Sequence, residues 1–252
     1  MRTIRETMLT PPNFNIISVS IVSHGQSALI KPLLEDLRRL ALPDIEVLIT
    51  VNIPEDEGPF QELPSWCRVI RNFTPKGFGA NHNAAFEQSK GQFFVVMNPD
   101  IRLPSLNVEQ LLEPMRDSKV GAVAPMILNS YGGIEDSVRR FPTIAKLAYR
   151  ALCRQRTPDY QWENQPIDVD WSAGMFVVFR RDSYREVHGF DDKRFFMYME
   201  DVDISRRLKK TGYRIVLQPA VSVIHDAQRA SSRSFRHMRW HLTSAFRYLT
   251  GL

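Results

Sequence analysis

The stretch IISVSIVSHGQSALIKPLLEDLRRLALPDIEVLITV, Ile16 to Val51, decides the fold. Ile16 to Ser23 is rich in β-branched residues and too short for a helix, so it reads as a buried strand. Ala28 to Leu40 places Leu29, Leu33, Leu37 and Leu40 at helical spacing. Ile45 to Val51 is a second apolar run of strand length. Strand, helix and strand in this order form the unit from which parallel sheets are built.

The pattern continues outward. Asn83 to Ser89 reads as a helix and Gln92 to Met97 as another buried strand. The expectation is an α/β fold with a mostly parallel central sheet and helices on both faces. In such sheets ligands bind beyond the carboxyl ends of the strands. Two turns stand at such ends, Ser23-His24-Gly25 and Asn98-Pro99-Asp100.

The second half changes character. Leu111 to Arg116 closes a short helix, and Val120 to Ile127 is a strand. Asn129 to Gln165 is rich in Pro, Gly and charge and is expected to be irregular, with a helix near Ile144 to Leu152. Met175 to Phe179 is a strand. Asp201 to Lys210 is a helix that stops at Gly212, with lysines in its last turn. Ile215 to Gln218 and Val221 to Ile224 read as two short strands. From Phe235 on, Met238, Leu242, Ala245 and Leu249 form one apolar stripe, with Arg236, Arg239 and Arg247 largely off it.

Composition narrows the class. A chain of 252 residues that is 43% hydrophobic can bury a large core. Its net charge of +5 suits an anionic partner without choosing one. Cys67 and Cys153, far apart, give neither a disulfide framework nor a metal-ligand spacing and read as reduced thiols. Met1 to Asn15 has charges but no apolar core of a signal peptide. No run approaches the roughly 18 apolar residues of a membrane span. A cytoplasmic protein is expected.

The chemistry concentrates in Phe195-Phe196-Met197-Tyr198-Met199-Glu200-Asp201-Val202-Asp203. Carboxylates beside an apolar wall have raised pKa values and suit general-base work. Asp203 is also explained as a helix-start acid paired with Arg207 four positions on. Asp100, after a proline-fixed turn, can bind Mg²⁺ or Mn²⁺, which take oxygen ligands, or can simply form a surface turn. His225 could ligate a metal, touch a phosphate or be structural. Arg229, Arg233, Arg236 and Arg239 could hold phosphates or form a solvated face. Lys76-Gly77-Phe78-Gly79-Ala80-Asn81-His82-Asn83 is a small-residue loop opening a helix, where glycines allow close approach and the helix start favours anions. Trp171-Ser172-Ala173-Gly174 is a close-approach loop or an ordinary turn.

The order of these pieces resembles family 2 glycosyltransferases of the GT-A fold, most closely the rhamnosyltransferase type. Its carriers are IISVSIVSHGQ, the block NFTPKGFGANHNAAFEQSKGQFFVVMNPDIRL, the segment WSAGMFVVFRRDSYREVHGFDDKRFFMYMEDVDISRRLKKTGYRI, and the tail VIHDAQRASS with SFRHMRWHLTSAFRYL. The resemblance implies residues 1–14 as an extension and 15–252 as one GT-A domain. The nucleotide-sugar half would span about 15–127 and the acceptor half, with a smaller acceptor-side subregion and the C-terminal helix, about 128–252.

Matching positions acquire implied roles. Asn98-Pro99-Asp100 stands where the family has its Asp-x-Asp metal motif, so Asp100 would hold the cation that bridges the donor diphosphate, with His225 completing the site. Asp201 would be the catalytic base, with Glu200 beside it at the acceptor side. Ser23, His24, Asn52, Gly77, Gly79, Asn83, Asn98 and Arg229 would stand around the nucleotide sugar, and Trp171 and Gly174 would line the acceptor side. Two departures are visible. Asn98 replaces the first acid of Asp-x-Asp, and Val51-Asn52 replaces the family's Asp-Asn after the second strand, so the acid that would stand near the nucleotide base is absent. The implied activity is inverting, metal-dependent sugar transfer from a nucleotide-diphosphate donor, dTDP-rhamnose favoured, to a carbohydrate or lipid-linked acceptor in cell-surface polysaccharide or glycolipid synthesis.

Two rival classes follow from the residues. A catalytically inactive sugar-nucleotide binder would use the same fold without turnover. A basic nucleic-acid binder would use arginines among Phe235, Trp240 and Phe246, but it leaves the carboxylates unexplained, so nucleic acid is not expected as a partner. The basic C-terminal helix could lie on an anionic inner leaflet, making the protein peripheral on the cytoplasmic face, or pack on the core.

Overall fold

A computed structural model describes residues 17–42, 44–143, 158–226 and 235–251. The expected helix near Ile144 to Leu152, together with Cys153, Arg229 and Arg233, lies outside the described residues. The opening unit forms as its pattern dictates: β1 (Ile17–Ser23), α1 (Ser27–Arg39) and β2 (Ile45–Val51). Strand β3 (Cys67–Arg71), helix α2 (Phe78–Gln88), β4 (Phe93–Met97) and the short β5 (Ile101–Arg102) complete the first half. Helix α3 (Val108–Leu112) runs into a 3-10 turn over Glu113–Arg116, tightened by Pro114, before β6 (Val120–Asn129). Then come β7 (Val138–Arg139), β8 (Ile167–Val169), β9 (Trp171–Ser172), β10 (Phe176–Arg180), α4 (Arg181–Glu186), α5 (Glu200–Lys210), β11 (Arg214–His225) and α6 (Phe235–Thr250).

The central sheet has the order β3-β2-β1-β4-β10-β6-β11-β5, with β8 added on β11. Strands β3, β2, β1 and β4 run parallel, and β6 runs parallel to β11. β10 is antiparallel to both its neighbours, and β5 and β8 are antiparallel to β11. The sheet is mixed but mostly parallel. Both faces are covered, which is why its strands read as continuous apolar runs. Val47, Ile49, Phe93, Val95, Phe176 and Val178 face one core with Leu33 and Leu37 of α1. The alternate residues Leu48, Phe94, Val96, Val177 and Phe179 face the other, with Phe86 of α2 and Leu208 of α5.

Several boundaries differ from the sequence expectation. α2 begins at Phe78, five residues before the expected start at Asn83. The glycines that made Lys76–Asn83 look like a loop are there because other parts of the chain press close. A Cβ on Gly79 would stand 2.6 Å from Phe190 Cβ, and one on Gly77 would stand 2.3 Å from the Phe196 carbonyl oxygen. The two short strands expected at Ile215–Gln218 and Val221–Ile224 are one strand, β11, with a register shift between Gln218 and Ser222 where Pro219 interrupts the ladder. Strands β3, β5, β7, β8 and β9 and helix α4 are not expected from the sequence, being short or half-exposed.

A carboxylate buried in α1 holds the turn after β4. Asp36 of α1 accepts from Arg102 Nε at 2.7 Å, from Arg102 Nη2 at 3.0 Å and from the Leu103 backbone N–H at 3.0 Å. It fixes β5 directly behind Asn98-Pro99-Asp100.

Candidate active site

The carboxyl ends of β1, β2, β4 and β11 share one edge of the sheet, because Ser23 pairs with Val51, Ile21 with Met97, and His225 with Ile101. Asp100 is buried there. His225 Nε2 stands 3.3 Å from Asp100 Oδ2, and His225 Nδ1 stands 2.8 Å from Glu135 Oε2. Burial pulls the His225 pKa down, but contact with Asp100 and then Glu135 outweighs it, and the group is raised to about 9.

Asp100 Oδ1 is buried without a hydrogen-bond partner among the described residues. A carboxylate oxygen left so is costly unless something completes it. A hard divalent cation at Asp100 would do so, and it would take the place of the proton that His225 Nε2 shares with Asp100 Oδ2. No group of three or more His, Cys, Asp or Glu side chains able to hold a metal occurs among the described residues. The remaining ligands would be phosphate oxygens and water, the way Mg²⁺ is commonly held. The residues fit a cation shared with a diphosphate.

The rest of this edge is a polar network. Ser23 Oγ donates to Glu55 Oε2 at 2.7 Å, which also accepts the Ser27 N–H at the start of α1. Glu55 Oε1 is buried and unpartnered among the described residues. Asn52 Nδ2 meets His24 Nδ1 at 2.9 Å and donates to Lys76 O at 3.0 Å, while Asn52 Oδ1 accepts from Asn72 and from the Lys76 N–H. His24 and Asn52 therefore shape the loop before Gly77. Asn83 turns to the body of the protein: its Oδ1 accepts from Tyr184 Oη at 2.7 Å and from the Phe190 N–H at 2.9 Å, and its Nδ2 donates to Phe190 O at 2.8 Å.

The acidic segment is built by an unusual turn. Tyr198 and Met199 both take left-handed backbone, φ 71° and 68°, with no glycine to ease it. Non-glycine residues there carry strain that the surroundings must hold. Here Phe195 is fully buried, Ser244 Oγ of α6 donates to Met197 O at 2.8 Å, and α5 starts immediately after. The turn sets Glu200 and Asp201 in the first turn of α5, against a cavity of about 230 Å³ that Arg139, Arg140, Trp171, Tyr198 and His241 also line.

The carboxylates divide as their environments differ. Asp203 accepts from Arg207 Nε at 2.7 Å and lies 3.5 Å from Arg194, a structural pairing. Burial raises the Glu200 pKa, and the Asp201 charge raises it further; Glu200 Oε2 has no hydrogen-bond partner among the described residues. Burial also raises Asp201, moderated by N–H donors from Val202 and Gly174 and by the charge of Arg139. Asp201 Oδ1 accepts from Val202 N at 2.8 Å and Oδ2 from Gly174 N at 3.4 Å. Two N–H donors favour the ionised form of Asp201, whereas Glu200 Oε2 has none among the described residues, and both side chains line the cavity.

Backbone joins the two acidic points. Asn98 N donates to Met175 O at 2.9 Å, and the residue before Met175 is the Gly174 that donates to Asp201. The hundred positions between Asp100 and Asp201 thus close through Gly174-Met175. Trp171 stands on the cavity wall, its Nε1 donating to Arg140 O at 3.1 Å. Gly174 has no room for a side chain, since a Cβ would lie 2.9 Å from Phe78 Cζ.

Sequence reasoning missed Glu135, Glu55, Arg139 and His241. Glu135 and Arg139 sit in a charged, glycine-containing stretch with no periodicity to mark them. His241 lies on a helix read only for its apolar stripe. Cys67 is a free thiol whose pKa burial pushes up to about 12, so it is inert.

Comparison with known proteins bears on the family and the fold. Residues 18–188 match the model of glycosyl transferase family 2. Rhamnosyltransferase WbbL of Escherichia coli (strain K12) is 30% identical over 251 residues, covering 93% of this chain and 92% of that protein. The N-acetylglucosaminyl-diphospho-decaprenol L-rhamnosyltransferase of Mycobacterium tuberculosis is 26% identical over 260 residues, covering 93% and 84%. The solved mannosyltransferase PcManGT from Pyrobaculum calidifontis, in complex with GDP-Man and Mn²⁺, superimposes with a TM-score of 0.60 at 17% identity over 92% of this chain and 64% of that one. GalNAc-T7, with UDP, GalNAc and Mn²⁺, gives 0.62 at 16% identity over 86% and 45%. The chain spans less than two thirds of those two structures, and the likeness shows a common GT-A fold.

Proposed function

The chain belongs to glycosyl transferase family 2 and is a glycosyltransferase, and we propose that it moves a sugar, rhamnose favoured, from a nucleotide-diphosphate donor to an acceptor hydroxyl with inversion. dTDP-rhamnose is the donor that the likeness to the two rhamnosyltransferases supports. The acceptor is a carbohydrate or a lipid-linked sugar, in cell-surface polysaccharide or glycolipid synthesis. The observation that carries this reading is Asp201: a carboxylate of raised pKa, aimed by Gly174 at a cavity and joined by backbone to the Asp100 turn.

Asp100 and His225 would hold a divalent cation, Mg²⁺ or Mn²⁺, with the donor diphosphate. When bound, the cation supplies positive charge against the negative charge that grows on the leaving diphosphate. Ser23, His24, Asn52 and Asn98 line the carboxyl edge on which the nucleotide sugar would rest, and Gly77, Gly79 and Asn83 shape it by drawing α2 onto the 190–196 segment. Arg229 is a further candidate for the diphosphate and lies outside the described residues.

Asp201 accepts the proton from the acceptor hydroxyl as that oxygen attacks the anomeric carbon from the face opposite the leaving group. The raised pKa serves this step, because a base close to the working pH combines ionisation with proton affinity. Glu200, harder to ionise, remains protonated longer and can donate a hydrogen bond to the acceptor without competing as a base. Trp171 offers an apolar face to a sugar ring. Turnover of dTDP-rhamnose with candidate acceptors, with product anomers assigned by NMR, tests the reading. An anomer of unchanged configuration would refute the single displacement.

A further inference from the structure

Helix α6 turns two faces to different neighbours. On one side Ser244 and Tyr248 are buried, Arg247 Nη1 donates to Arg194 O at 2.7 Å, and the Trp240 ring lies 5.0 Å from that of Phe196. On the other side Met238, Leu242, Phe246 and Leu249 follow the three-to-four spacing of one stripe. They are 55%, 64%, 58% and 38% exposed. Single exposed apolar residues are ordinary, but four on one helical stripe mark a contact surface.

Charge selects the occupant. Phe235–Thr250 contains no acidic residue and three arginines, Arg236, Arg239 and Arg247. Arg239 is exposed beside the stripe, and Lys193 is exposed on the segment that α6 clamps. Arg247 is turned to the body of the protein by its bond to Arg194 O, so Arg239 is the cation that borders the stripe, and a second copy of this chain would bring the same cation against it. An anionic lipid leaflet satisfies both the apolar stripe and its basic border. No helix among the described residues is long and apolar enough to cross a membrane, so α6 would lie on the surface.

We infer that α6 seats the protein on an anionic lipid surface through Met238, Leu242, Phe246 and Leu249. The seat bears on the active site. His241, one position before Leu242, lines the Glu200–Asp201 cavity, and Ser244 holds the Met197 carbonyl in the turn that presents those carboxylates. The cavity mouth would thus meet the leaflet, which selects a lipid-linked acceptor over a soluble glycan. This last step rests on the sugar-transfer reading; the seating does not.

Flotation of the full chain with vesicles of phosphatidylcholine, alone or mixed with phosphatidylglycerol, tests the seat without donor or acceptor. The protein should float with the anionic vesicles and stay behind with phosphatidylcholine alone. Leu242→Glu with Phe246→Glu should abolish flotation while melting temperature and transfer to a water-soluble acceptor stay unchanged. Should that variant fold poorly, Arg239→Glu keeps the stripe and should weaken partitioning roughly fivefold or more. Wild-type flotation by both variants would overturn the inference. So would failure of the wild type to float, or light scattering showing a dimer that the stripe variant splits while flotation is unchanged. Loss of transfer with flotation intact would count against the proposed function and leave the seat standing.

Discussion

The Gly174 backbone N–H donates to Asp201 Oδ2 across 3.4 Å, and that contact aims the carboxylate which the chemistry turns on. Gly174 in turn precedes Met175, whose carbonyl takes the Asn98 N–H at 2.9 Å. One backbone step, Gly174-Met175, thus connects the two acidic points.

Asp100→Ala should reduce turnover by roughly a hundredfold or more, since stabilisation of developing charge is commonly worth about that. It should also abolish the rise in melting temperature that Mn²⁺ with a nucleoside diphosphate gives the wild type by mass action. The metal-free variant should also melt somewhat lower than wild type, because His225 Nε2 loses its Asp100 Oδ2 partner at 3.3 Å, so the decisive readout is the loss of the ligand-induced rise. EDTA should stop the wild-type enzyme. Full activity in EDTA would remove the cation from the account.

Acidity should separate activity from stability. Asp201 and Glu200 have raised pKa values in the folded protein, chiefly from burial. As pH rises above the ordinary carboxylate range the unfolded chain gives up these protons first, so the folded state binds more of them and stability falls. Over the same interval kcat/KM should rise, as Asp201 becomes a competent base. Arg139 favours the ionised form of Asp201, so Arg139→Met should move the rising limb to higher pH. A limb that stays in place would detach Arg139 from the base.

Asn83→Ala should act on the fold. It removes the acceptor for Tyr184 Oη and Phe190 N and the donor to Phe190 O. Leaving such groups unpaired costs about 1–3 kcal/mol in total if water reaches some of them. A chain of this size should then melt roughly 3–10 °C lower. An unchanged melting point with a raised donor KM would instead place Asn83 at the ligand.

Much of this was legible in the sequence because both faces of the sheet are buried. Ile17–Ser23, Ile45–Val51 and Phe93–Met97 announce strands by apolar runs that no exposed strand would carry. Asn98-Pro99-Asp100 and Glu200-Asp201 were visible as acids ending or following such runs. Strand β10, antiparallel within a parallel sheet, could not be oriented from its own residues, since MFVVF reads alike in either direction. The start of α2 was hidden by Gly77 and Gly79, whose small size answers to Phe196 and Phe190 more than a hundred positions away. Glu135 is found only through its contact with His225. The left-handed pair Tyr198-Met199 carries no glycine to signal it, and tertiary contacts from Ser244 and Phe195 impose it.

The central claim is that Asp201 takes the acceptor proton, and single-turnover transfer by Asp201→Asn measures it most directly. The variant keeps the side-chain shape and one acceptor oxygen for the Val202 N–H at 2.8 Å, while its NH2 cannot take the Gly174 N–H, so its melting temperature is measured beside its rate to show that it folds. Its transfer rate should fall by about 10²–10⁴ with donor binding retained. A folded Asp201→Asn protein that transfers sugar within a few-fold of the wild-type rate would contradict the account.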